Sequence, residues 1–186
     1  MPKLFFVLLG CKPEGRHTEQ HDVFFGIGET LADLLPQFEA FWPEASGKLH
    51  IDSWREVSQV DQFAIRILPR KEQAAPKNNR LFFLNLGGYK PGDLEEYHYK
   101  MLMVAEKKTE AIQQAKASAF YQHTGFEGAH SHIDDKYGVD VDDIYEIEDI
   151  LPEDLKAQYR IAIEKTDELT ADELHIGYLK LSLLRN

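Results

Sequence analysis

One cysteine, Cys11, is all the thiol chemistry this chain has, so no intramolecular disulfide can form. That scarcity fits a reducing compartment, and a cytoplasmic protein is the expectation. Basic charge is also short: 21 Lys and Arg stand against 32 Asp and Glu, a formal net charge of −11 at pH 7. Non-specific nucleic-acid binding depends on cations that neutralise phosphates and release counterions, so no nucleic-acid partner is expected. Residues 1–80 are nearly balanced, with 10 basic and 11 acidic side chains, and the remainder carries the excess. No apolar run approaches the roughly 18 residues of a membrane span, and no membrane partner is expected either. Leu8-Leu9-Gly10-Cys11 has the form of a lipoprotein cleavage box, but Leu4 to Leu9 is too short for a signal-peptide core. Nearly the same run returns inside the chain as LFFLNLGG from Leu81, so both are read as strands.

Several chemical signatures are missing as well. There is no Walker loop, no G-x-S-x-G elbow and no HExxH, which leaves phosphoryl transfer, serine hydrolysis and zincin chemistry without support. Gly26 and Gly28 in GIGETL lack the third glycine of a dinucleotide fingerprint and read as a hairpin-end pair. The acidic stretch DDKYGVDVDD, residues 134–143, departs from EF-hand order and reads as a solvated loop. Cys11 reads as an inert, at least partly buried thiol.

What the chain does contain is repetition. Leu4/Leu81, Phe5/Phe82, Phe6/Phe83, Leu9/Leu86, Gly10/Gly87, Gly15/Gly92, Glu19/Glu96, His21/His98, Glu29/Glu106, Gln37/Gln114 and Ala40/Ala117 are identical at constant spacing. After an insertion the match resumes with His50/His132, Ile51/Ile133, Asp52/Asp134, Val57/Val139, Asp61/Asp143 and Ile65/Ile147. An internal duplication follows. Each copy opens with an apolar strand (Leu4 to Leu9; Leu81 to Leu86) and a turn-rich connection to a second run (Val23 to Ile27; Met101 to Val104). Leu31, Leu34, Leu35, Phe38 and Phe41/Trp42 then recur at helical spacing, as do Ile112, Ala115, Ala119 and Phe120, with Thr30 and Thr109 as N-caps. Polar-alternating runs close each copy. The expected architecture is therefore α+β: two ββαββ-like units packed as one pseudo-twofold body, since one such unit alone buries little core. Residues 1–69 form the first unit, 70–80 a linker and 81–152 the second. Residues 153–186 add a helix, Glu153 to Lys165, and a strand, LHIGYLKLSLL.

The stretches GRHTEQHDVFFGIGE, LHIDSWREV and YHYKMLMVAEKKTEAIQQAK with HIDDKYGVDVDDIYEI resemble an uncharacterised bacterial family, the domain of unknown function 1543, whose members carry one or two copies of such a unit. The resemblance covers both copies and implies no activity.

Polar residues present in both copies are the candidate site: Glu19, His21, His50 and Asp52 in the first, Glu96, His98, His132 and Asp134 in the second. On a strand, His and Asp two apart share a face, with Cα atoms about 6.5–7 Å apart. A Glu/His/His/Asp set suits Zn, Mn or Fe. The competing reading is structural, because a carboxylate accepting an imidazole N–H is an ordinary way to satisfy a partly buried histidine. His123 and His130 beside His132 are open to the same two readings. The leading expectation is a soluble small-ligand binding or interaction protein whose ligand would sit between the copies. The alternatives are a small metal-dependent enzyme and a structural homodimer formed through the last strand. The sequence names no cofactor.

Overall fold

The computed structural model describes all residues except 46, 73–77, 90–91, 124–139, 169 and 186, and leaves aside the side chains at 89, 119–123 and 140. The fold is α+β, and the chain divides into two units. Unit 1 comprises Met1–Ala74 and Leu151–Asn186, and unit 2 comprises Ala75–Ile150.

Unit 1 begins with the antiparallel hairpin β1 (Lys3–Cys11) and β2 (Gln20–Gly28). Alternation along β1 sends Phe5, Val7, Leu9 and Cys11 to one face, where a 3₁₀ turn (Leu31–Leu34) and helix α1 (Leu35–Phe41) cover them. Phe38 is fully buried there and meets Phe24 edge to face at 4.9 Å between ring centroids. The helical spacing from Leu31 is thus realised as 3₁₀ and then α, with Pro36 in the first α turn, where its missing N–H has no intrahelical partner to lose. Strand β3 (His50–Glu56) pairs with β1 on its free side. A short β4 (Gln59–Val60) and β5 (Phe63–Pro69) follow, joined by a two-residue turn in which Asp61 adopts φ 51°.

Unit 2 repeats the opening. Strands β6 (Arg80–Tyr89) and β7 (Glu96–Ala105) form a hairpin, α2 (Lys108–His123) covers one face, and β8 (Asp140–Glu146) pairs with β6. Phe82, Leu84, Leu86, Met103 and Ala105 pack on Ala111 and Ala115, small residues that let the helix lie close to the sheet. Helix α2 starts at Lys108, so Thr109 lies inside it and is not the cap.

Three expectations change. Each unit opens in the order ββαβ: in unit 1 the last expected strand, β5, joins a separate sheet, and in unit 2 Ile147–Ile150 forms a helical turn, α3, instead. The helix expected from Glu153 to Lys165 ends early, as α4 (Glu153–Gln158), and Tyr159–Lys165 is strand β9. Pairing overrides helical period there, because Ile161 and Ile163 stand opposite Ile67 and Ile65 of β5. Finally, LHIGYLKLSLL divides into β10 (His175–Lys180), which pairs with β3, and a 3₁₀ turn (Leu181–Leu184). Residues 151–186 therefore complete both sheets of unit 1, ordered β10-β3-β1-β2 and β4-β5-β9, while unit 2 holds one sheet, β7-β6-β8. Asp172, between β9 and β10, accepts from Ser58 Oγ at 2.5 Å and Ser58 N at 3.1 Å, clamping the connection to the β3–β4 corner. Gly26 and Gly28 lie within β2, opposite Phe5 and Lys3.

Candidate functional site

The site of unit 1 is set by the ladder. Gly10 on β1 stands between His21 on β2 and His50 on β3, so both imidazoles rise over a residue without a side chain, on the face opposite α1. Between Leu8 and Leu9 the β1–β3 register slips by one residue, and Asp52 is the extra residue of the bulge. Such a bulge re-aims side chains, and here Asp52 joins His50 above the glycine. Glu19 reaches the same place from just before β2.

Four groups converge there. His50 Nε2 lies 2.8 Å from Glu19 Oε1 and 3.4 Å from Asp52 Oδ1, and His21 Nε2 lies 3.1 Å from Asp52 Oδ2 and 3.9 Å from Glu19 Oε2. His50 is 5% exposed, the one buried polar residue among the described residues, and the ring of Tyr178 on β10 covers it with centroids 4.5 Å apart. Despite these short distances, His50 Nε2 and Asp52 Oδ2 are buried without a hydrogen-bond partner among the described residues. Each of these two atoms faces an oppositely charged partner, Glu19 Oε1 at 2.8 Å from His50 Nε2 and His21 Nε2 at 3.1 Å from Asp52 Oδ2. The set is two imidazoles and two carboxylates, donors of the kind a divalent first-row ion takes.

Unit 2 builds the same arrangement on β6. Gly87 stands between His98 and Asp140, the β6–β8 register slips between Asn85 and Leu86, and Asp142 is the extra residue. His98 Nε2 lies 3.2 Å from Asp142 Oδ2, and one donor atom each from Glu96, His98 and Asp142 lie within 4.8 Å of one another. Opposite the central glycine, the place of His50 is taken by Asp140 and that of Asp52 by Asp142, so HIDS corresponds to DVDD, residues 140–143. His132 and Asp134 lie outside the described residues, as does His130. An ion pair recurs at matching places in the two sheets: Lys3 meets Glu56 across β1 and β3 at 2.6 Å, and Arg80 meets Glu146 across β6 and β8 at 3.0 Å.

Of the expected residues, the fold thus brings together Glu19, His21, His50 and Asp52 in unit 1, and Glu96 with His98 in unit 2. Sequence reasoning missed Asp142, which it placed in an acidic loop, and the role of the two glycines as floors. The signal was present: HIDSWRE and DVDDIYE share an aspartate at the third place and a glutamate at the seventh. Cys11 takes no part. It is buried, and burial pushes its thiol above the ordinary value, so it stays protonated and unreactive.

The fold and site together describe an α+β protein with a histidine–carboxylate cluster on a glycine floor. The family model described as Domain of Unknown Function (DUF1543) matches residues 16–67, a span that contains all four residues of the unit 1 cluster. A protein Il1583 from Idiomarina loihiensis, known from a crystal structure, is similar over 97% of this chain and 98% of its own, with a TM-score of 0.66 and 23% identity; that likeness is one of fold. No curated protein matches the chain. None of the described helices is long and apolar enough to cross a membrane.

Proposed function

We propose that unit 1 is a divalent-metal centre in which Glu19, His21, His50 and Asp52 hold a first-row transition ion, and that the protein acts through this ion. One observation carries the reading: two imidazoles and two carboxylates meet over Gly10, with the buried His50 Nε2 2.8 Å from Glu19 Oε1 and His21 Nε2 3.1 Å from Asp52 Oδ2. The open side of the cluster, where Glu19 and His21 remain half-exposed, leaves room for a small ligand to reach the ion. This reading joins the small-ligand binding role to the metal-dependent alternative. The matching hairpin, covering helix and bulge of the two units support descent from one duplicated ββαβ ancestor. The net charge of −11 supports a role away from nucleic acid, and the single cysteine a reducing, cytoplasmic setting.

The test is native mass spectrometry of the chelator-stripped chain with added Zn²⁺. The wild type should retain at least one ion, and His50→Ala should weaken binding of that ion by at least about tenfold, the lower range seen even for partners one shell further out. A wild type that stays metal-free at excess Zn²⁺ would overturn the proposal. A second reading, homodimerisation, is favoured by one feature: β10 is an edge strand that exposes Ile176 and Tyr178, with the exposed Leu174 just before it.

A further inference from the structure

We infer that Glu96, His98 and Asp142 of unit 2 form a second cation site whose preference is for a harder ion than the unit 1 cluster takes. Its existence stands on the geometry of unit 2; only the comparison of preference rests on the metal reading of unit 1.

Three observations carry it. The donors converge, with one atom from each residue inside 4.8 Å. The floor is cleared for them: a Cβ at Gly87 would stand 2.3 Å from Asp142 Oδ2 and 2.8 Å from Glu96 Oε1, so any other residue there would displace two of the three donors. And the triad is one of imidazole and carboxylates held in the register that holds Glu19, His21 and Asp52, down to a His–Asp separation of 3.2 Å against 3.1 Å. A merely solvated acidic pair has no reason to keep both the histidine and the empty glycine.

The two places differ at one position. Where unit 1 has the buried His50 beside its glycine, the ladder of unit 2 has Asp140. Unit 1 brings two imidazoles to its glycine, and the described donors of unit 2 are one imidazole, His98, and two carboxylates, Glu96 and Asp142. Imidazole-rich sets suit zinc, copper and ferrous iron, whereas carboxylate and water suit manganese, magnesium and calcium. Exposure points the same way: the His98 and Asp142 side chains are 38% and 33% exposed, which leaves positions for the water that hard cations keep. The chain thus carries one soft-leaning and one hard-leaning site, and the second exchanges its ion more readily.

The experiment uses the full chain, stripped with chelator, and Mn²⁺ followed by electron paramagnetic resonance with and without one equivalent of Zn²⁺. Zn²⁺ should fill unit 1 and leave one Mn²⁺ site. Asp142→Asn and His98→Ala should each weaken that remaining site at least about tenfold while leaving the Zn²⁺ stoichiometry unchanged, with circular dichroism confirming the fold of both. If Mn²⁺ remains after Zn²⁺ and neither substitution alters it, the assignment to unit 2 is wrong. If one equivalent of Zn²⁺ removes all Mn²⁺ binding and Asp142→Asn still retains that Zn²⁺, there is no second site and the metal reading of unit 1 survives alone. Residual Mn²⁺ binding that is lost in Asp142→Asn, in a chain that takes no Zn²⁺, would support unit 2 and remove unit 1.

Discussion

A methyl group at position 10 would stand 2.3 Å from His50 Nε2 and 2.6 Å from Asp52 Oδ2, well inside non-bonded contact. The methyl belongs to a central strand and cannot move, so the imidazole and the carboxylate must. Gly10→Ala should therefore reduce Zn²⁺ affinity as severely as His50→Ala does, although it removes no ligand, and calorimetric titration of both variants checks this. An affinity equal to wild type would mean that the four side chains do not meet over this residue. The same arithmetic explains why the candidate residues could be read from sequence while their floor could not. Glu19, His21, His50 and Asp52 announce themselves by chemistry, but a glycine in a strand has no chemistry until its neighbours are known.

Elements in this protein are specified by local signals where those exist. The capping of the 3₁₀ turn is one: Asp33 Oδ2 accepts from Thr30 N at 2.8 Å and Glu29 N at 3.0 Å. The hydrogen bond from the Thr30 backbone, helped by the Thr30 side chain, holds the Asp33 carboxyl below its ordinary value. A carboxyl depressed in the folded state contributes stability that is present above its unfolded pKa and is lost as pH falls through the folded one. Asp33→Asn should thus lower the thermal midpoint at neutral pH, and the gap from wild type should close on acidification below the unfolded aspartate value near 3.9. A gap that persists at the acid end would place the effect elsewhere. The hairpins were legible for a similar reason, since apolar alternation in LFFVLLG and LFFLNLGG is a property of one strand. Strand β9 was not legible, because YRIAIEK takes its conformation from β5, about ninety residues earlier in the ladder. The likeness of HIDSWRE to DVDDIYE was not legible because it is two identities spread over seven positions. It shows in the ladder, where both segments flank a glycine, bulge at an aspartate and end on a glutamate paired with Lys3 or Arg80.

At the scale of the whole molecule, unit 2 lies within the sequence of unit 1, whose last 36 residues, Leu151–Asn186, return to finish both of its sheets. The returning edge strand leaves Ile176 80% exposed. Exposed apolar edges template pairing with another chain. Sedimentation equilibrium should find the wild type at twice the 21.4 kDa chain mass and Ile176→Glu near that mass itself; a monomeric wild type removes the dimer reading. Tyr178, on that same strand, covers His50. Synthesis runs from the N-terminus, so a nascent chain presents Glu19, His21, His50 and Asp52 and the whole of unit 2 before β10 leaves the ribosome. During that interval His50 has neither its aromatic cover nor the strand that borders β3. The histidine–carboxylate cluster is therefore among the last features of the molecule to mature, and a chain that stops short of His175 carries all four of its side chains without the ring that covers His50.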